Sequence, residues 1–322
     1  MDTDCLRLFK HFTNVDKVKY NIDLSNIQNI LRHKYKIKLK QKKSNVIIDS
    51  SMYHNQFVPK DILDEIKTLN SCQIINFNVN KMPVKIVVCY STENINFLVK
   101  HLVQIICGFN IYANNVQESL DLNIYLTNHK KILPQNKIFT AENANSGSSY
   151  PGKNITIFRK EELTKVLFHE LIHFYQIDLR PSNSYIRDNF KINGPIRINE
   201  AYTETWGVIL HSLYFTKNIS YFWNLLSYQI AFSYYQVCKI LKYLGCSNLN
   251  NCTITQKTSI FSYYILKSAF FNKLDLFLTS KDNYQTLVKI CISDEHFKTK
   301  IKNWKIIDNS MKMTLIQPDM KF

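Results

Sequence analysis

The sequence predicts an α+β protein: one lobe with a mixed, twisted sheet and a helix laid against it, a mainly helical C-terminal lobe, and a cleft between them. Three observations carry that expectation. Cys72 to Tyr90 holds two β-branched, alternating runs around a turn. Leu163 to Tyr175 reads LTKVLFHELIHFY, apolar at helical spacing. Beyond residue 214 the pattern is helical over about 218–243, 256–278 and 282–302, with a break at Ser247–Asn251. The expected division is a basic N-terminal region over 1–70, the sheet lobe over 71–180 and the helical lobe over 181–322.

Bulk properties bound the function classes. With 322 residues, 45% apolar and 13% aromatic, the chain has the material for a packed core, which excludes disorder. A net charge of +16 favours acidic partners, nucleic acid and acidic polypeptides among them. The eight cysteines form no C-x-x-C pair and are expected to be reduced, mostly buried thiols of an intracellular protein, cytoplasmic or nuclear. Cys246 and Cys252, flanking an Asn-rich loop, are the one pair placed to bridge or to bind metal. The opening MDTDCLRLFKHF has acids and no long apolar core, unlike a secretory signal. Residues 218–238 carry no charge over 21 positions, the length of a membrane span. Asn224, Ser227, Gln229, Ser233 and Gln236 interrupt them, so a buried helix is expected and no membrane span.

Taken in order, Ser25-Asn26 can cap a short helix and Pro59 can open another. Between them, Arg32 to Lys43 holds seven Lys and Arg residues and no acid. Lys34, Lys36, Lys38 and Lys40 alternate with apolar residues, as on a strand with one cationic face. Such a face is either a solvated edge that blocks strand pairing or a contact for phosphate or acidic substrate. Residues 73–79 and 84–90 suggest a hairpin about Asn80–Pro83. Glu93 to Cys107 has helical spacing, and Gly108 stands where a C-cap glycine would. Leu122–Thr127 and Asn136–Thr140 read as strands, as does Asn154–Arg159 after the turn Pro151-Gly152-Lys153. The helix over 163–175 should start near Lys160, with Glu161 and Glu162 in its first turn at the positive end of the dipole, and end by Arg180-Pro181. Asn199 can cap the next helix, on which Glu200, Glu204, Gly207 and His211 share one stripe.

On the first of these two helices His169 and His173 lie four apart, so both imidazoles can point at one ion, with Glu170 beside them. A second segment, Asn199-Glu200-Ala201-Tyr202-Thr203-Glu204-Thr205-Trp206-Gly207, begins 26 residues after His173. A catalytic zinc takes three protein ligands and keeps one position open, and Glu200 can complete a His2Glu set. The paired motifs resemble those of the gluzincins, zinc metallopeptidases of which thermolysin is the best known, over about one seventh of the chain. Two departures stand out. Glu204 occupies a position where the family has Asp, and the gap between the helices is several residues longer than in thermolysin.

The resemblance implies one Zn2+ per chain, held by His169, His173 and Glu200, with Glu204 bracing one ligating histidine and Asn199 supporting the other. It implies a metallopeptidase acting on a peptide or protein, in which Glu170 is the general base that takes the proton of water and passes it to the leaving amine. Tyr263 and Tyr264, on the helical lobe, are the leading candidates for the oxyanion donor, followed by Tyr234, Tyr235 and His296. Zincins place an exposed antiparallel edge strand just before the last strand and the active-site helix. By segment order that puts Ala144, Asn145 and Ser146 on a substrate-binding edge, where β-augmentation would hold a peptide; the other reading of this Gly/Ser/Asn stretch is an ordinary loop. His211 reads as a core histidine. The alternative from another class is a catalytically inactive, zinc-stabilised structural or nucleic-acid-binding protein on the same fold, using the basic segment 32–43. Glu170 argues against it, because metal binding alone does not need that residue.

Overall fold

A computed structural model describes residues 10, 12, 15–18, 20, 22–45, 57–178, 184–280 and 284–316. The first half runs α1 (Ser25–Arg32), β1 (Lys40–Ser44), α2 (Lys60–Ile66), β2 (Ser71–Val79), β3 (Met82–Tyr90), α3 (Asn96–Ala113), β4 (Leu120–Tyr125), β5 (Ile138–Phe139), α4 (Ala141–Ala144), β6 (Gly147–Tyr150) and β7 (Asn154–Ile157). Six strands form one mixed sheet in the order β1-β2-β3-β4-β7-β6. The first three are antiparallel, β3, β4 and β7 are parallel, and β6 runs antiparallel to β7 at the far edge. A mixed sheet with helices is the α+β class expected.

Side-chain alternation on β2 and β3 divides the core. Ile75, Phe77, Val79, Val84, Ile86 and Val88 face the main cluster, while Cys72, Ile74, Val87 and Cys89 face a smaller one under α2. The turn between these strands is only Asn80-Lys81, shorter than expected, and Asn80 takes the left-handed conformation (φ 55°) that Asn tolerates.

The hairpin register also overturns the expectation of reduced thiols at Cys72 and Cys89, while Cys246 and Cys252 form the bridge they were placed for. It sets Cys72 opposite Cys89, and the two form a disulfide; Cys246 and Cys252 form a second. Partners 17 residues apart become neighbours only once the register is set. Cys107, Cys238 and Cys291 are buried free cysteines.

Two further expectations change in the first half. Residues 34–39 do alternate exposed lysines with half-buried Tyr35, Ile37 and Leu39, but pairing with β2 begins only at Lys40. β1 belongs to the sheet, and Gln28 of α1 donates to the carbonyls of Leu213 and Thr216. Helix α3 continues through Gly108 and stops at a left-handed Asn114. A Cβ at Gly108 would lie 3.0 Å from the Leu31 Cα, so this glycine serves the close approach of α1 and caps nothing.

The second half comprises α5 (Leu163–Phe174), α6 (Ser184–Asn189), β8 (Ile192–Asn193), α7 (Ile198–Phe215), α8 (Ile219–Leu244), β9 (Ile254–Gln256), a π-helical turn (Phe261–Leu266) leading into α9 (Lys267–Asn272), then α10 (Leu274–Thr279), α11 (Tyr284–Ser293) and α12 (Glu295–Lys300). A small parallel sheet, β5-β9-β8, ties the halves together. Helix α8 contains the long uncharged run. Its Gln229, Ser233 and Gln236 are buried and hydrogen-bonded inside the protein. Among the described residues no helix is long and apolar enough to cross a membrane.

Candidate metal centre

Helices α5 and α7 pack closely because Gly207 lies against His169. A Cβ at Gly207 would sit 3.5 Å from the His169 Cβ and 3.6 Å from its Cα, ordinary contact that leaves little room for anything larger. Helix α5 is buried along almost its whole length. It begins at Leu163 rather than near Lys160, so Glu161 and Glu162 do not form its first turn. Both are buried beside the chain's Lys131: Glu162, in the left-handed conformation (φ 60°), pairs with the Lys131 ammonium, and Glu161 accepts from the Lys131 backbone N–H. The helix ends at Phe174; Arg180-Pro181 lie outside the described residues.

Three donor atoms converge between the helices. His169 Nε2 lies 3.2 Å from His173 Nε2 and 3.3 Å from Glu200 Oε2, and His173 Nε2 lies 3.4 Å from the same oxygen. A tetrahedral centre with bonds of about 2.0–2.2 Å separates neighbouring ligand atoms by about 3.3–3.6 Å. The observed triangle, with sides of 3.2–3.4 Å, lies at the small end of that range. On the opposite sides of the rings, His169 Nδ1 faces Glu204 Oε2 at 3.0 Å and His173 Nδ1 faces Asp178 Oδ2 at 3.1 Å. Each imidazole can donate from Nδ1 to its carboxylate, which in the neutral ring leaves the Nε2 lone pair facing inward. With both rings neutral, two lone pairs and a carboxylate oxygen meet at one point, so this buried His-His-Glu group could hold a metal ion.

Charges around the triangle follow the same geometry. Burial pulls the His173 imidazole down, but Glu200 and Asp178 outweigh it and hold the ring well above its ordinary value. Burial pushes Glu200 up, but His173 and His169 outweigh it and keep the carboxyl well below the usual range. Glu204 is likewise held low against burial, by Lys165 at 2.6 Å, His169, and Lys267 at 3.7 Å.

Asp178 is the brace that sequence reasoning missed. It sits in the turn after α5, and no periodic pattern marks it. Asn199 is not the N-cap expected; Arg197 holds that position, and Asn199 lies within the first turn of α7. Its Nδ2 donates to Asp178 Oδ2 at 3.2 Å, so it supports His173 through Asp178. His211, buried, meets Thr164 Oγ1 at 3.1 Å and is not one of the converging group.

A cleft of about 390 Å³ opens onto the three donors. Its walls are β6 (Gly147, Ser148, Ser149), Glu170, Tyr263 and Arg197. Burial raises the Glu170 carboxyl above the usual range, and a Cβ at Gly147 would lie 2.9 Å from Glu170 Oε1, so only glycine leaves that carboxylate its place beside the strand. Tyr263, on the π-helical turn, brings its ring centroid 6.2 Å from that of His169. The adjacent Tyr264 points the other way and donates to the Met311 carbonyl at 2.5 Å, which removes it as a donor to the cleft. Tyr234 and Tyr235 donate to Asn272 and Asp308, and His296 is exposed on α12.

The edge strand is present but displaced from its expected residues. Ala144 ends the one-turn α4, Asn145 is buried with Oδ1 accepting from Thr258, and the Ser146 carbonyl accepts from Phe158 N. The open edge is Gly147–Tyr150, although Asn145 also lines the cleft. Arg197 is a further cleft residue that the sequence did not single out; its guanidinium lies 5.3 Å from the centroid of the Phe57 ring.

No family model matches the chain, and no solved structure matches it. A protein of Acanthamoeba polyphaga mimivirus, described as uncharacterized, is 22% identical over 232 residues, which are 64% of this chain and 60% of that protein. The chain thus spans less than two thirds of that relative's length.

Proposed function

We propose that the chain is a zinc metallopeptidase of gluzincin type that binds a peptide along β6 and hydrolyses one of its bonds in the cleft. The observation that carries this is Glu170: buried beside the converging donors, not needed to complete them, and lying against the edge strand at Gly147. A purely structural metal site has no use for such a carboxyl.

Zinc in the His169–His173–Glu200 set would bring the pKa of a water to about 7 and polarise a peptide carbonyl. Glu170 would take the proton of the attacking water and return it to the leaving amine, and burial, by favouring the protonated form, suits it to carrying that proton. Tyr263 is the remaining candidate to hydrogen-bond the oxyanion. Burial, with Glu200 and Glu170 nearby, raises its hydroxyl well above the ordinary value, so it stays protonated and able to donate. The outer main-chain groups of β6 would hold an extended substrate.

The test is a peptide-library digestion with zinc analysis. Wild type should hold about one zinc per chain and cleave; Glu170→Gln should hold the same zinc and not cleave. Equal turnover by the two would end the general-base role.

One observation favours a second reading. Lys36, Lys38, Lys40 and Lys85 line a groove of about 520 Å³, the cationic face of an anion-binding protein on an inactive zinc-stabilised fold. Binding to nucleic acid that falls steeply with salt, and weakens when these four lysines become glutamine, would support it. The intracellular setting is expected from reduced thiols, and the two disulfides do not support it, because they persist only where thiol reductants do not reach them.

A further inference from the structure

Residues 311–316 have no regular secondary structure, yet each is at most 8% exposed. Side chains from three elements and from the turn before α5 meet their main chain. Tyr264 donates to the Met311 carbonyl at 2.5 Å, Gln236 to that of Lys312 at 2.6 Å and Lys267 to that of Met313 at 3.1 Å. In return, Met313 N donates to Glu162 at 2.7 Å and Leu315 N to Gln229 at 2.8 Å. The segment is bound like a peptide in a channel.

That channel runs behind the metal centre. Lys165 Nζ lies 2.6 Å from Glu204 Oε1 and 3.8 Å from Met313 Sδ. Lys267 Nζ lies 3.7 Å from the same Glu204 oxygen and 3.1 Å from the Met313 carbonyl. The other Glu204 oxygen faces His169 Nδ1 at 3.0 Å. Met313, Lys165, Glu204 and His169 also border one small cavity of about 30 Å³, room for about one water.

We propose that residues 311–316 form a strap that tunes metal affinity, with Lys165 and Lys267 as positioning residues that hold Glu204 on His169. The proposal rests on the reading of His169, His173 and Glu200 as metal ligands. A buried ammonium needs acceptors on several sides. Without the Met313 carbonyl, Lys267 loses its nearest one and can be satisfied only by drawing Glu204 toward it. His169 then loses the acceptor that fixes which nitrogen faces the metal, a change of the kind that weakens metal binding 10- to 100-fold.

The experiment compares Zn2+ dissociation constants, by competition with a chromophoric chelator, for the full chain, Lys165→Met, Lys267→Met and a chain ending at Asn309. Thermal melts of the metal-free forms show which are folded. Folded Lys165→Met and Lys267→Met should bind zinc about 10- to 100-fold more weakly than wild type. A synthetic peptide of residues 310–322, added in trans, should restore affinity to the shortened chain. Wild-type zinc affinity in both lysine variants, even with lowered melting temperatures, reduces the strap to packing and overturns the proposal. These two variants decide the matter if the shortened chain does not fold. A full chain that takes up no zinc removes the metal centre itself, and the strap's role with it.

Discussion

His173 Nδ1 and Asn199 Nδ2 share one acceptor, the Asp178 Oδ2 atom, at 3.1 and 3.2 Å. Asp178 thereby does for His173 what Glu204 does for His169, and each ring has its own carboxylate. We predict that Asp178→Ala weakens zinc binding by about 10- to 100-fold while the fold survives. Chelator competition measures this; unchanged affinity would show that His173 needs no brace.

The paired tyrosines should separate cleanly. Tyr263→Phe is predicted to lower kcat by about 10²–10³, with zinc content retained. Tyr264→Phe leaves the Met311 carbonyl without its donor, and should cost about 1–3 kcal/mol of stability with kcat unaffected. Steady-state kinetics and urea melts on the two variants check both halves, and equal kinetics for Tyr263→Phe and wild type would remove Tyr263 from the chemistry.

Gly147 is predicted to matter for rate. An alanine there would place its Cβ 2.9 Å from Glu170 Oε1, 2.9 Å from Val166 Cγ1 and 3.1 Å from the Thr156 carbonyl, so something must move, and the Glu170 carboxylate is the freest of the three. A displaced base should cost about 10- to 100-fold in kcat with little change in zinc affinity. The measurement is kcat beside zinc titration; full activity in Gly147→Ala would show that Glu170 tolerates the shift.

His211 makes a prediction about pH. Burial first, and then Lys165, pull its imidazole from 6.5 to about 3. The unfolded chain takes up a proton at this residue below about pH 6.5 and the folded chain does not, so stability falls as pH falls from about 6.5 toward about 3. Between pH 8 and pH 5 the loss from this group is about 2 kcal/mol. His211→Gln should reduce the difference between urea melts at those two pH values by about that amount. The same difference in variant and wild type would show that His211 is not held neutral in the fold.

What the sequence makes legible is what repeats locally. His169 and His173 can be paired because they stand one helical turn apart, and Glu200 and Glu204 because a second helix repeats the spacing. Asp178 reaches His173 through a turn that has no period. Tyr263 and Tyr264 cannot be told apart in sequence, since adjacent helical residues differ by about 100° and the π-helical turn decides which of them meets the cleft. Cys72 and Cys89 become a pair only through the hairpin register. Lys131, Lys165 and Lys267 look like ordinary surface lysines; their burial depends on Glu162, Glu204 and a carbonyl delivered from residue 313.

The order in which the chain is made gives the strap another meaning. Glu162 accepts from the backbone of Thr314, 152 positions later. At about 5–20 residues per second, a ribosome needs roughly 8–30 s to cover that distance. For the last 98 of those residues, from Phe215 to Met313 and roughly 5–20 s, α5 and α7 can already exist, with His169 and Glu204 on them, while the acceptor that settles Lys267 has not yet been made. Any metal affinity that depends on the strap would therefore come last, after the rest of the site has been made.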